Sequence, residues 1–197
     1  MAISRQALVD TAVGVFGEAG WDGIGPQTLV RRLGVAPGAV YRHFKSRDTL
    51  MAAVLSRVQE ELFVHIEASC PVVPGESGLG MLLRLGEAYC RFWETRPRAY
   101  LDILRPPTAT LLPAQGESAR ELGRVTARVI KQFEVLLLLG RLDGSVRTEA
   151  TAETARRIVS VLVGTVHLHL TPSRTRAKNL TAMLTALVGA RTPVRAA

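Results

Sequence analysis

LVRRLGVAPGAVYRHFKSRDTL, residues 29–50, is the stretch that decides how this chain folds. The short helical pattern around Leu29 ends at Gly34, which can adopt the left-handed conformation that terminates a helix. Pro37 opens a second short helix, and Val35 supplies an apolar side chain under the turn between the two. Such a pair of helices predicts a helix-turn-helix, in which one helix braces against phosphates and the other lies in the major groove of DNA.

Helical periodicity continues on both sides of this stretch. Upstream, apolar residues recur at three- and four-residue steps, with Ser4 as the expected N-cap and Gly20 as the expected end of the helix. Pro26 fits the first position of the second helix, and a fourth helix is expected to begin near Asp48. The third helix is expected to carry Val40, Tyr41 and Phe44. Four helices are therefore predicted before residue 70.

The Pro- and Gly-rich residues 71–78 predict a linker, and the remainder of the chain again shows only helical periodicity. Further helices are expected at residues 82–92, 100–104, 122–136, 151–170 and 174–188, with a looser segment at 108–115. The fold is thus predicted to be all-α. It consists of an N-terminal three-helix helix-turn-helix domain, residues 1–50, and a C-terminal helical domain, residues 51–197.

Composition favours a polyanionic partner. The 25 Lys and Arg residues outnumber 17 Asp and Glu, which gives a net charge of +8. This balance suits nucleic acid or an anionic membrane surface, although a solvated basic face needs no partner. The apolar fraction of 47% excludes wholesale disorder.

Several function classes lack their sequence signatures. There is no G-x-S-x-G, H-E-x-x-H, P-loop or dinucleotide fingerprint, so neither an enzyme, a cofactor nor a metal site is expected.

Cys70 and Cys90 show no metal-ligand spacing and are expected to be free thiols in a reducing compartment, with a disulfide between them as the alternative. The apolar run 158–170 is too short to span a bilayer, and no signal peptide is apparent. A cytoplasmic protein with no membrane partner is predicted.

The spacing within the deciding stretch is specific. Its characteristic residues are Gly34, Val35, Gly38, Tyr41, Phe44, Arg47 and Leu50. This run resembles the DNA-binding domain of the TetR family of transcriptional regulators. Upstream residues that match the core of that family's first two helices are Ala12, Phe16, Gly20, Trp21 and Leu29. The resemblance covers about a quarter of the chain.

Three positions depart from the family pattern. Gly25 and Ala36 stand at helix caps where the family usually has Ser or Thr. Loss of a side-chain cap lowers helix stability by on the order of 1 kcal/mol, and by less where the cap residue is Gly. Val30 stands where the family prefers Ala at a close helix contact.

The resemblance implies a homodimer that reads a palindromic, double-stranded operator, with recognition helices about 34–36 Å apart. The residues expected to contact DNA are Gln27, Thr28, Gly38, Ala39, Tyr41, Arg42, His43, Lys45 and Arg47. Gln27 and Arg42 are expected to discriminate bases, whereas Gly38 is small enough for its backbone to approach base edges. Arg31 and Arg32 are expected to be solvated. The expected core residues are Phe16, Leu29, Leu33, Val40 and Phe44.

The resemblance also implies that the C-terminal domain binds ligand and dimerises. Candidate ligand-binding residues are Glu87, Tyr89, Phe92, Trp93, Tyr100, Leu104, Phe133, Leu137 and His167, with His169 as a further polar anchor. Aromatic residues at helical spacing belong more often to the core than to a pocket. The expected effector is a small hydrophobic or amphipathic molecule. The last two long helices would pair with their symmetry mates, although a monomer that buries both internally is the alternative.

The function implied is that of a ligand-responsive repressor. An effector would move the fourth helix, change the separation of the recognition helices and release the operator. The alternative is a basic helical architectural protein that binds DNA without sensing a small molecule. Activation in place of repression depends on operator position and is also open.

Overall fold

The computed structural model describes residues 3–104, 115–168 and 173–189, and every regular element in these ranges is a helix. The α-helices are α1 (Arg5–Gly23), α2 (Pro26–Leu33), α3 (Pro37–Tyr41), α4 (Arg47–Ser69), α5 (Gly78–Glu94), α6 (Glu117–Leu142), α7 (Thr151–Leu168) and α8 (Ser173–Leu187). A 3₁₀ helix spans Arg98–Leu104. The all-α prediction is confirmed. None of the described helices is long and apolar enough to cross a membrane.

The chain divides into two compact units. Unit 1 comprises Met1–Phe63 and Thr95–Thr126, and unit 2 comprises Val64–Glu94 and Ala127–Ala197. Helices α4 and α6 therefore contribute residues to both units. The functional division at residue 50 that the sequence suggests stays a prediction.

In unit 1, α1 is anchored at its start and broken near its end. The Ser4 hydroxyl accepts a hydrogen bond from the N–H of Ala7 (3.1 Å), which confirms Ser4 as the N-cap. Gly20 has φ 62° and interrupts the helical backbone, but α1 resumes and ends at Gly23, beyond the predicted end. The break lets Trp21 turn back onto Phe16, with 4.3 Å between ring centroids.

The turn between α2 and α3 has the predicted form. Gly34 adopts φ 62° and ψ 30°, and its N–H donates to the carbonyl of Val30. Gly25 and Ala36 cap the two helices without a side-chain hydrogen bond, as their residue types predict. Of the expected core residues, Leu33 is half-buried, and the fully buried ones are Phe16, Leu29, Val40 and Phe44.

Helix α3 is shorter than predicted, because it ends at Tyr41 and leaves Phe44 in the following turn. The Ser46 hydroxyl accepts a hydrogen bond from the N–H of Thr49 (3.2 Å), so Ser46 acts as the N-cap of α4 and the new helix begins directly after it. Phe44 is still 1% exposed and remains a core residue.

In unit 2, α5 packs against α7 and α8, which also pack against each other. Near the start of α7, Arg156, Arg157 and Ser160 form an exposed polar side. Its buried side centres on Ile158 and Leu162, each 0% exposed.

The start of α5 lies directly against the end of α6. A Cβ atom added to Gly78 would lie 2.2 Å from the backbone nitrogen of Gly140, so the two backbones leave no room for a side chain. The Asp143 carboxylate accepts a hydrogen bond from the Gly78 N–H (2.6 Å) and the Ser145 hydroxyl accepts one from the Leu79 N–H (3.1 Å). Hydrogen bonds from Ser145 and Gly78 hold the pKa of Asp143 below its ordinary value.

Some predictions fall outside the described residues. These are His169 as a polar anchor, the last two residues of the predicted helix 151–170, and residues 108–114 of the predicted looser segment.

Candidate nucleic-acid interface and ligand cavity

The nine predicted DNA contacts lie on α2, on α3 and in the segment up to the first residue of α4, all in unit 1. Residues 26–47 contain five Arg and Lys residues and no Asp or Glu. Thr28 and Ala39 are half-buried, and the exposed members are Gln27, Gly38, Tyr41, Arg42, His43, Lys45 and Arg47. Residues 26–47 therefore carry a net positive charge and no carboxylate of their own.

Helices α2 and α3 enclose an open groove of about 440 Å³, called here the α2–α3 groove. Its lining residues are Gln27, Val30, Arg31, Pro37 and Tyr41. The Tyr41 side chain is 46% exposed, which leaves its hydroxyl available to a phosphate oxygen. The groove thus brings the predicted contacts Gln27 and Tyr41 together. It also contains Arg31, which sequence reasoning had assigned to bulk solvent.

The neighbouring Arg31 and Arg32 differ in how their charges are used. Arg32 binds Glu18 through both terminal nitrogens, with 2.7 Å between Nη1 and Oε2. The hydrogen bond from Arg32 lowers the pKa of the Glu18 carboxyl, so this pair is charged and largely self-neutralised. Arg31 makes no ion pair with any residue that the structure describes. Arg31 is also the charged residue among the five that line the α2–α3 groove.

Two of the predicted phosphate contacts already have partners within the chain. Arg47 donates from Nε to the carbonyl of Ile24 (2.8 Å) and from Nη2 to that of Trp21. His43 Nε2 lies 3.2 Å from the carbonyl of Ile3. Arg47 therefore fastens the start of α4 to the end of α1, and phosphate contacts of both residues stay predictions.

Gly38 occupies open space at the surface of α3. A Cβ atom added there would meet no described atom within 4 Å. Packing inside this chain therefore gives no reason for a glycine, and a glycine in a helix costs about 0.5–1 kcal/mol relative to alanine. A close approach of base edges to the α3 backbone would be a reason for a glycine at this position.

The Asp48 carboxylate, in the first turn of α4, lies at the N-terminus of α6. It accepts hydrogen bonds from the N–H groups of Glu117 (2.6 Å) and Ser118 (3.2 Å) and from the Ser118 hydroxyl. Partial burial by itself raises the pKa of Asp48, but these hydrogen bonds together outweigh it and bring the pKa below its ordinary value. The carboxylate is therefore charged and caps α6.

Unit 2 contains a second cavity, an open groove of about 430 Å³ called here the α5–α6 groove. It is lined from the end of α4 and the linker by Cys70, Pro71 and Val72, from α5 by Met81, Arg84 and Leu85, and from α6 by Arg128, Lys131, Gln132, Val135 and Leu136. The volume is in the range of about 300–1,000 Å³ that is usual for small-molecule sites.

Comparison with known proteins now assigns the helix-turn-helix. Residues 8–54, which include α2, α3 and the start of α4, match the model of the tetR family of bacterial regulatory proteins. This N-terminal part of the chain is a helix-turn-helix domain of the TetR family.

The chain is similar to the HTH-type transcriptional repressor DhaR of Mycobacterium sp. (strain GP1). The two are 25% identical over 149 residues, which cover 74% of this chain and 71% of DhaR. The fold is similar to that of a TetR-family protein from Rhodococcus RHA1, with a TM-score of 0.68, 18% identity and coverage of 95% and 98% of the two chains. It is also similar to AibR in complex with isovaleryl coenzyme A and operator DNA, with a TM-score of 0.67, 13% identity and coverage of 91% and 97%.

The ligand-binding residues predicted for this chain are divided between the two units. Tyr100 and Leu104 lie in unit 1, whereas the other seven, Glu87, Tyr89, Phe92, Trp93, Phe133, Leu137 and His167, lie in unit 2. None of the nine lines the α5–α6 groove.

The aromatic candidates on α5 contact one another. The ring of Trp93 lies 5.0 Å from that of Phe92 and 6.0 Å from that of Tyr89, measured between centroids. All three are at most 4% exposed. Burial raises the pKa of the Tyr89 hydroxyl, as an apolar environment requires. This packing favours a core role, and ligand contact by these residues stays a prediction.

The polar lining of the α5–α6 groove was missed by sequence reasoning. Arg128 and Lys131 are three residues apart on α6, and this spacing predicts that both lie on the same side of the helix. It does not predict which other element of the fold lies opposite that side. Arg84 donates to Glu76 (3.2 Å from Nε to Oε1) and to the carbonyl of Pro71 (2.7 Å). Cys70 is a free thiol, and burial raises its pKa.

Proposed function

We propose that this TetR-family regulator is a repressor that binds a palindromic operator as a homodimer and is released from it by a small hydrophobic or amphipathic effector. The observation that carries the proposal is the exposed, carboxylate-free basic surface of residues 26–47. Phosphate contacts from such a surface supply affinity, and base contacts from a short exposed helix supply specificity.

The named functions of two similar proteins support the proposal. DhaR is a transcriptional repressor, and the AibR structure contains both operator DNA and a small-molecule thioester. The α5–α6 groove supplies a cavity of suitable size for a small molecule in this chain.

Exposed apolar residues on the last two helices support a dimer. Leu168 at the end of α7 is 63% exposed, and Met183 on α8 is 40% exposed. A Cβ atom added to Gly164 would meet no described atom within 4 Å. A helix from a second copy would cover these residues and pack closely over Gly164.

Helix α6 gives the proposed signal a physical route. Residues 128–136 of α6 line the groove, and the N-terminus of the same helix is bound by Asp48 at the start of α4. An occupant that displaces α6 would displace the hydrogen-bond donors of Asp48, and with them the helix that directly follows the DNA-binding turn. The operator is released only if the occupant has different affinities for the two arrangements.

Fluorescence anisotropy with the upstream intergenic DNA of the protein's own gene tests the proposal. We expect preference over scrambled DNA of the same length, and a steep fall in affinity with salt. The double variant Gln27→Ala/Arg42→Ala should lose the preference and keep its fold, because both side chains are exposed. Equal affinity for both DNAs at every salt concentration would instead support the architectural alternative.

A further inference from the structure

The start of α1 lies against the turn that follows α3, within unit 1. His43 Nε2 is 3.2 Å from the carbonyl oxygen of Ile3, forty residues earlier in the chain. The guanidinium carbon of Arg5 lies over the ring of Phe44, 5.1 Å from its centroid. Contacts from two consecutive residues therefore hold residues 3–5 beside the segment that contains the predicted DNA contacts of α3.

The charge of Arg5 is not neutralised by any carboxylate that the structure describes. The side chain is exposed, and Phe44, a neutral ring, orients the guanidinium without cancelling its charge. Residues 3–9 contain no Asp or Glu. The next acidic residue, Asp10, accepts a hydrogen bond from Gln6 (3.0 Å) and lies 3.5 Å from Arg57. Arg5 can therefore bind an anion that comes from outside the chain.

A cation at this position is unfavourable for the helix itself. Arg5 is the first residue of α1, where the free N–H groups of the backbone carry partial positive charge. Such positions favour Asp and Glu, yet the first turn of α1 has no acidic residue. The electrostatics of α1 thus give no reason for an arginine here, whereas a phosphate group beside residues 43–44 would.

We propose that Arg5 is a further DNA-binding residue, whose guanidinium binds a phosphate of the DNA backbone from the position in which Phe44 and His43 hold the start of α1. The inference rests on the proposed operator-binding function and adds α1 to the surface of residues 26–47. A guanidinium can donate two parallel hydrogen bonds to one phosphate. Because this contact reads no base, it strengthens binding to every DNA sequence alike.

The salt dependence of DNA binding tests the contact. Fluorescence anisotropy of the full-length protein, with the upstream intergenic DNA and with scrambled DNA, gives the slope of log affinity against log salt. Arg5→Gln should reduce this slope by about 0.9 per subunit on both DNAs, because one phosphate contact is lost. Arg5→Lys retains the charge and should retain the slope. An unchanged slope in Arg5→Gln overturns the proposal.

Arg98→Gln is the matched control for net charge. Arg98 is an exposed arginine of unit 1 on the 3₁₀ helix, outside the predicted DNA contacts and without an ion pair to any described residue. Its substitution removes the same charge from the same unit and should leave the slope unchanged. An equal reduction in both variants would show a general effect of charge and would reject a contact at Arg5.

Thermal unfolding distinguishes a phosphate contact from a purely structural role. If Arg5 served only to cover the Phe44 ring, Arg5→Gln would lower the melting temperature and leave the salt slope unchanged. We expect the opposite result, a reduced slope with a melting temperature within about 3 °C of wild type. A lower melting temperature with the wild-type slope would assign Arg5 to the fold alone.

Neutral backbone substitution locates the phosphate. A set of upstream intergenic DNAs, each with one methylphosphonate at a different position, removes one phosphate charge at a time. At the phosphate bound by Arg5, the substitution should weaken binding of the wild-type protein about tenfold and should not weaken Arg5→Gln further. If every position affects the two proteins equally, Arg5 contacts no phosphate.

The two proposals can fail separately. Preference for the upstream DNA together with an unchanged slope in Arg5→Gln would reject the Arg5 contact and leave the repressor intact. A reduced slope in a protein that does not distinguish the upstream DNA from scrambled DNA would reject the repressor and leave the Arg5 contact intact.

Discussion

The Asp48 carboxylate accepts hydrogen bonds from both the N–H and the hydroxyl of Ser118. Seventy residues separate the two in sequence, yet they join the first turn of α4 to the first turn of α6. Both helix N-termini carry partial positive charge, so one ionised side chain stabilises two helices.

Removal of this carboxylate should destabilise the fold in a pH-dependent manner. Asp48→Ala should lower the free energy of unfolding at pH 7 by about 1–2 kcal/mol, and Asp48→Asn by less because its amide oxygen still accepts. The ordinary pKa of the group is 3.8 and the folded-state pKa is lower. The stabilisation is therefore complete above the ordinary value and disappears as the pH falls through the lowered one.

Urea unfolding at pH 7 and at acid pH, at one protein concentration, measures this effect. Asp22→Ala is the control, since Asp22 is exposed on α1 and has no described partner. A difference between Asp48→Ala and the unmodified protein that persists unchanged at acid pH would contradict a charge-dependent cap.

Substitution of Gly38 should separate DNA binding from folding. Gly38→Ala meets no described atom and removes a helical glycine, so stability should stay equal or rise by up to about 1 kcal/mol. If the α3 backbone approaches base edges, the added methyl group should weaken operator binding about tenfold, or about 1.4 kcal/mol. Anisotropy titration and thermal unfolding measure the two quantities.

Gly14→Ala is the matched control, because Gly14 on α1 is exposed and equally free of neighbouring described atoms. It should leave operator affinity unchanged. Wild-type affinity in Gly38→Ala would show that DNA does not approach α3 closely at this position.

Arg31 and Arg32 should contribute unequally to DNA binding. Arg31 lines the α2–α3 groove without an ion pair, whereas Arg32 is bound by Glu18. Arg31→Gln should weaken binding and reduce the slope of log affinity against log salt by about 1, as expected for one lost phosphate contact. Arg32→Gln should change the slope by clearly less. Equal slopes for the two variants would show that the ion pair between Arg32 and Glu18 dissociates when the protein binds DNA.

A large side chain at Gly164 should weaken the proposed dimer. Gly164→Leu points a large side chain into space that is open in the single chain and improves helix propensity by roughly 0.8 kcal/mol. We expect helicity to be retained and the dimer to dissociate at least tenfold more readily, as measured by analytical ultracentrifugation. Gly123→Leu makes the same change at an exposed position of α6 with no neighbouring described atom and should leave the dimer intact. A stable Gly164→Leu dimer would place the interface elsewhere.

Local signals predicted the helix-turn-helix well. Ser4, Gly34 and Pro37 act on residues within one or two turns of themselves, and each performs its predicted role in the structure. The sequence analysis placed Phe44 on the third helix and did not identify Ser46 as the N-cap of α4, a role that its hydrogen bond from the N–H of Thr49 shows.

The site was less predictable because its contacts are distant in sequence. The difference between Arg31 and Arg32 depends on Glu18, fourteen residues away, and helix periodicity assigns both arginines to solvent. The α5–α6 groove is lined by residues from three segments of the chain, and the aromatic residues of α5 pack on one another, so that their contact with a ligand stays a prediction. Hydrophobicity identifies apolar side chains but does not distinguish the wall of a cavity from the core.

The direct contact of the α5 and α6 backbones at Gly78 and Gly140 has a consequence for the evolution of specificity. The two helices that form the groove are held close together at that end, so its dimensions depend on a pair of residues that do not line it. A single methyl group at Gly78 would force the helices apart, because it would lie 2.2 Å from the backbone nitrogen of Gly140. Relatives that recognise longer or bulkier molecules could therefore arise by a change at this crossing, with every residue of the groove wall left as it is.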